Sequence, residues 1–206
     1  YEIYQCDWSS DVCSSDLPQF QVDPYFPKPL PNNWLLGQVS GLRVDKQGNL
    51  WAIHRASALS ARELAADKGQ ARCCSKTPPV LVFDPSGNVI KSWGGPGAGY
   101  DWPKSEHGIY IDDEDFVWIA GNARTDGQIL KFTMDGRFVL QIGKPVTGPD
   151  SNATDRMGSP ADIAVDIAAR EVYVADGYGN RRVIVFDSQT DRKSTRLNSS
   201  HTGISR

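Results

Sequence analysis

The chain has no apolar run near the ~18 residues that a membrane-crossing helix needs, so no helical span is expected. It also lacks a basic excess: 22 Lys and Arg stand against 25 Asp and Glu, and the electrostatic footprint of a nucleic-acid binder is missing. Histidine is scarce, with three in 206 residues. A catalytic zinc site with three histidine ligands would need every one of them. The four cysteines do not make a two-disulfide framework, because Cys6 and Cys13 lie in an end segment expected to be translated artefact and only the neighbours Cys73 and Cys74 remain.

The two ends differ from everything between them. Residues 1–17 (YEIYQCDWSSDVCSSDL) can be back-translated so that the reverse complement, read in another frame, gives DRKSTRLNSSHTGISR without a mismatch, which is residues 191–206. One piece of DNA read in both orientations accounts for both ends, and it resembles a sequencing-library adapter. Both segments are therefore expected to be translated artefact and are kept out of fold reasoning. Setting them aside removes Cys6, Cys13 and His201, and leaves a fragment over 18–190 of near-neutral charge.

What remains is dense in short strands. Apolar residues alternate with period two at Leu42 and Val44, at Ile109 and Ile111, and at Ile163 and Val165. Each run meets an acidic turn at Asp45, Asp112 or Asp166, positions 67 and 54 residues apart. An Asp-Gly or Ser-Gly pair (TMDGR, DPSGN) then supplies the positive φ of a tight hairpin. The spacing exceeds a typical propeller blade of ~40 to 50 residues, so the surplus is assigned to loops. One such loop, inserted over 56–79, contains ALSARELAADKG, a run of good helix formers. The glycine-rich GGPGAG stretch lacks a following Gly-Lys-Ser/Thr and reads as an inter-blade loop rather than a phosphate cradle.

Repeated four-stranded sheets that cannot bury both faces alone are closed best by radial packing. The expected fold is all-β: a partial β-propeller of about three four-stranded blades, near 37–95, 103–143 and 159–190, out of six. A β-sandwich is the runner-up, but it leaves the repeated order of motifs unexplained. Trp51, Trp118 and Tyr173 occupy equivalent strand positions and are expected as core between blades.

The units resemble NHL-type repeats. The series GQVSGL, IHR, EHGIYID, PADIAVD and EVYVADGYGNRRVIVF resembles the six-bladed lyase domain of the peptidyl-α-hydroxyglycine α-amidating lyases. That resemblance implies a zinc ligand at His107, although Glu106 stands where the family has proline. It implies a structural calcium held by the backbone carbonyls of Leu42 and Ile109, a catalytic tyrosine at Tyr178 and a substrate-binding arginine at Arg55. The cysteine that follows the family's tyrosine is Gly179 here, so its loop disulfide is absent. The implied activity is cleavage of a carbinolamide C–N bond in a small peptide-like substrate, in a monomeric, extracytoplasmic protein, with the fragment itself inactive.

Plainer roles compete for the same residues. His107 is equally a polar residue at a blade entrance, and Tyr178 a residue packed on a sheet edge. His54 and Arg55 are strand neighbours and point to opposite faces, so His54 is expected to be packed rather than ligating. Arg182 is assigned a structural role and Arg181 is left open. Cys73 and Cys74 form a vicinal bond, pair elsewhere, or stay free. Asn152-Ala-Thr matches a glycosylation sequon by pattern alone. The competing function is a non-catalytic NHL propeller binding a peptide or protein partner; RNA binding is disfavoured by the charge.

Overall fold

The computed structural model describes residues 20–146 and 148–190. The end segments read as artefact, 1–17 and 191–206, lie outside the described residues. A two-residue strand β1 (Trp34–Leu35) precedes the first sheet, which is built from β2 (Gln38–Val44), β3 (Leu50–Arg55), β5 (Val80–Phe83) and β6 (Val89–Trp93). These four pair antiparallel in chain order. The second sheet repeats that meander with β7 (Glu106–Ile111), β8 (Phe116–Gly121), β9 (Gln128–Thr133) and β10 (Phe138–Gly143). The third contains β11 (Asp162–Asp166), β12 (Glu171–Asp176) and β13 (Arg182–Asp187).

The sheets are propeller blades. Their first strands lie side by side, β2 against β7 and β7 against β11, as inner strands ranged about an axis do. Close approach here depends on glycine. A Cβ on Gly41 would come within 2.8 Å of the His107 carbonyl oxygen, and one on Gly108 within 2.6 Å of the Ala161 carbonyl oxygen. The repeat thus places a residue without a side chain where one blade's inner strand meets the next.

The aspartate turns explain why the repeat carries tryptophan. Asp45 accepts backbone N–H bonds from Gln47 and Asn49 through Oδ1, and the Trp51 indole N–H at 2.9 Å through Oδ2. Asp112 does the same with Glu114, Phe116 and Trp118. Each indole satisfies its polar atom at the turn and leaves its ring for the inter-blade core. Trp51, Ile53 and Val82 pack on Ile109, Val117 and Ile119 between the first two blades. Trp118 and Ile129 pack on Ile163, Val174 and Phe186 between the next two.

One expectation changes. Tyr173 faces the side of the third blade away from the second, and it is 38% exposed rather than core. Only another blade could cover it, and the described residues supply none on that side. The short helix expected in the insertion is present: α1 spans Leu64–Asp67. It starts after a capping box in which the Ser60 backbone N–H and hydroxyl both donate to Glu63 Oε2. Elsewhere the insertion contributes β4 (Ser75–Lys76), which pairs parallel with β1, and the Thr77 hydroxyl donates to the Leu35 carbonyl at 2.7 Å. Cys73 and Cys74 are bonded to one another in this loop.

Candidate functional site

His107 follows Glu106 at the start of β7, on an inner strand, so its ring stands at the mouth of the axis. Its Nδ1 is 3.0 Å from the Ala161 carbonyl oxygen and its Nε2 is 3.1 Å from the Tyr178 hydroxyl. A carbonyl only accepts, so Nδ1 carries the proton and donates it. Nε2 is then a free lone pair that accepts from Tyr178. An imidazole with one N–H tied to a backbone carbonyl and the other nitrogen directed outward is oriented as metal-ligating histidines are. The rings of His107 and Tyr178 meet edge to face with centroids 5.4 Å apart.

Tyr178 reaches this position because the DGYGNRR loop is anchored beneath it. Asp176 is buried and accepts from the Gly158 N–H and the Asn180 side-chain amide at 2.7 Å each. Arg182, also buried, donates to Asp176 at 2.9 Å and to the carbonyls of Ser151, Ala153 and Arg156. The Gly179 N–H adds a bond to the Gly158 carbonyl. Tyr178 is the tip of this rigid loop and is 63% exposed. Arg181 takes a positive φ of 55° and is exposed, which turns the chain back into β13.

Arg55 comes to the same rim from the other side. Its Nε donates to the Glu106 carbonyl at 3.1 Å, so it sits one residue from His107 along β7. Glu106 itself is buried beside a cavity of about 400 Å³ lined by Trp102, Thr77 and Pro79. Its Oε1 accepts the Trp102 indole N–H at 2.8 Å, while burial pushes its carboxyl above the ordinary range. The structure therefore brings His107, Tyr178 and Arg55 to one rim.

His54 is packed. Its Nδ1 accepts from the Gly37 N–H at 3.2 Å and its Nε2 faces the Pro78 carbonyl at 2.9 Å, which fixes a neutral ring with both nitrogens satisfied. Burial holds this imidazole below its ordinary pKa. The unfolded chain thus takes up a proton that the folded one refuses as pH drops below about 6.5. The His54 contribution to stability is present above that pH and is lost as pH falls toward the lowered folded value. Melting temperature is expected to fall by a few degrees between pH 7.5 and 5.5, and His54→Gln to flatten that slope in pH-resolved thermal melts.

Leu42 and Ile109 are not equivalent in their surroundings. Ile109 is buried in the core, whereas Leu42 is half exposed and its carbonyl already accepts a bond from Arg43 Nη1 at 2.9 Å. The same guanidinium holds Asp162 through Nη2 at 3.1 and 3.2 Å. A protein cation stands where a calcium would have to bind, so the residues present do not fit calcium at Leu42. Sequence reasoning missed Arg43 and Asp162. The signal was there, because Asp162 occupies the repeat position that is glycine at Gly41 and Gly108. The role of Ala161 had no signal, since it acts through a backbone oxygen. Among the described residues, no three His, Cys, Asp or Glu side chains gather to hold a metal ion.

Fold and site together define an NHL-like β-propeller with a histidine and tyrosine paired at the axial rim. Among curated proteins the chain is similar to peptidyl-alpha-hydroxyglycine alpha-amidating lyase 1 of Drosophila melanogaster, at 28% identity over 166 residues, covering 75% of this chain and 28% of that protein. It is likewise 28% identical to the peptidylglycine alpha-amidating monooxygenase of Rattus norvegicus, covering 76% of this chain and 16% of that protein. The probable lyase pgal-1 of Caenorhabditis elegans matches at 28% identity, with 75% of this chain and 42% of that protein covered. The chain thus spans less than half the length of these relatives. No family model matches it. Among solved structures, virginiamycin B lyase from Staphylococcus aureus aligns at 15% identity and a TM-score of 0.48 over 81% of this chain and 42% of that one. A chain of a nidogen–laminin complex aligns at 16% identity and a TM-score of 0.46, covering 75% and 46%.

Proposed function

We propose that this chain is part of an amidating-lyase-like propeller that cleaves a carbinolamide, releasing an amide and glyoxylate from a small peptide-like substrate. The observation that carries the reading is the His107–Tyr178 pair, with the imidazole tautomer fixed by Ala161 and Arg55 on the same rim. The 28% identity to proteins named for this activity supports it. A chain that covers so small a share of those relatives supplies only part of such a site, so the piece by itself is inactive in this reading. An extracytoplasmic, monomeric protein goes with it, and no helix among the described residues is long and apolar enough to cross a membrane.

His107 Nε2 is the atom that would hold zinc, with the further ligands contributed from outside the described residues. Bound there, zinc supplies a Lewis acid for the substrate hydroxyl. Because one lone pair serves both partners, metal binding requires the Tyr178 hydroxyl to turn from Nε2 toward the substrate. Arg55 offers a guanidinium fork for the substrate carboxylate. With the dication beside it, the Tyr178 oxygen would release its own proton to solvent and then remove the substrate hydroxyl proton; the C–N electrons leave with nitrogen, which takes that proton back from the phenol. That sequence balances without an oxidant. Calcium has no part in it.

The test is glyoxylate release from an N-acyl-α-hydroxyglycine by the whole protein that carries this chain, with zinc supplied and zinc content measured. Release that follows zinc content is expected. A protein that binds no zinc through His107 and releases no glyoxylate would sink the lyase reading. The second reading is a non-catalytic propeller that holds a peptide on the same face, where Tyr178 is exposed. Peptide retention without turnover would support it.

A further inference from the structure

Three oxygen atoms converge near the axis where β2 of the first blade faces β11 of the third. They are the Leu42 carbonyl oxygen and both carboxylate oxygens of Asp162. Carbonyl and carboxylate oxygens are the donors that a hard divalent cation takes. Here Arg43 fills the space between them, with Nη1 at 2.9 Å from Leu42 and Nη2 at 3.1 and 3.2 Å from the Asp162 oxygens. Its guanidinium carbon also lies 5.8 Å from the centre of the Tyr110 ring, which faces it from the second blade. One side chain therefore touches all three blades. Tyr110 is the repeat counterpart of Arg43, and Asp162 the counterpart of Gly41 and Gly108, so the two charges sit at different repeat positions, two residues apart in the unit, on the first and third blades.

We propose that Arg43 is the resident cation of the propeller axis, taking the oxygen-lined place of a divalent ion and clamping the third blade to the first. A planar fork suits this role because it presents several donors in fixed directions, whereas a spherical ion would have to draw the oxygens inward to shorter distances. A divalent ion entering beside the guanidinium would meet like charge at contact distance. The protein is accordingly independent of calcium. Arg43 and Asp162 are both partly exposed, with side-chain accessibilities of 37% and 57%, so the pair itself contributes modestly to stability. The diagnostic effect is instead what happens when the guanidinium is removed: an oxygen set with a vacant centre becomes able to take calcium. This inference does not rest on the lyase reading, since it concerns the tie between blades and is read without turnover.

Thermal melting of the full chain in chelator and in millimolar calcium, with calcium content measured by elemental analysis, tests it. The unaltered chain is expected to carry no calcium and to melt at the same temperature in both conditions. Arg43→Gln is expected to melt lower in chelator and to gain about 3 to 6 °C when free calcium is tenfold above its dissociation constant. Adding Asp162→Asn to Arg43→Gln should abolish that gain, which assigns it to this site. Both positions are on the surface, and neither change threatens folding. Near-stoichiometric calcium in the unaltered chain, or a melting temperature lowered by chelator, would overturn the proposal. So would an Arg43→Gln chain as indifferent to calcium as its parent.

Discussion

Arg182→Ala is expected to cost about 3 to 5 kcal/mol, enough to lower the melting temperature by roughly 10 °C or more. The side chain is 3% exposed, and its partner Asp176 is fully buried. Arg182 donates to that carboxylate and to three carbonyls of the loop before the third blade. Truncation leaves the buried Asp176 carboxylate with its Gly158 and Asn180 bonds but without its counter-charge, and removes the donor from three carbonyl oxygens, the Ala153 one buried, so the cost of desolvation is no longer offset. Lysine does not rescue the site, because one ammonium cannot reach four acceptors laid out for a planar fork. Circular-dichroism melts of the alanine and lysine variants, both well below the parent, are the expected result. A melting temperature within two or three degrees of the parent would show that the loop repacks without the guanidinium.

On the proposed lyase reading, Tyr178→Phe in the whole protein that carries this chain is expected to reduce kcat for glyoxylate release by about a hundredfold or more, with KM and melting temperature nearly unchanged. The reasoning joins position to exposure. Tyr178 is 63% exposed, so little packing is lost, yet its hydroxyl is the group held 3.1 Å from His107 Nε2. A pure kcat loss means that the oxygen acts in the transition state rather than in holding substrate. Retention of kcat within about twofold would remove Tyr178 from the chemistry and leave it a rim residue of a binding propeller.

The repeat was legible because its physics is local. Alternation of apolar residues marks the strands, and an aspartate that can bind two backbone N–H groups marks each turn. The tryptophans of the first two blades follow from that turn, since Asp45 and Asp112 accept the indole N–H. Tyr173 fails the same expectation for a non-local reason: burial depends on a neighbouring blade, and no described residue covers that face. The short inserted helix was legible for a local reason, as the strands were: a run of good helix formers behind a Ser60–Glu63 cap gives the helix Leu64–Asp67.

The site divides along the same line. Sequence alone determined the blade architecture, because strand period and turn chemistry are properties of neighbouring residues, and its resemblance to the amidating lyases nominated His107, Tyr178 and Arg55. Only the tertiary structure decided which proton His107 carries, since the deciding oxygen belongs to Ala161, 54 residues away. It alone placed Arg43 on the carbonyl assigned to calcium, with Asp162 across the axis, 119 residues distant. Hydrogen bonds and charges act through space at about 3 Å, and closing strands about an axis sets which groups come that close.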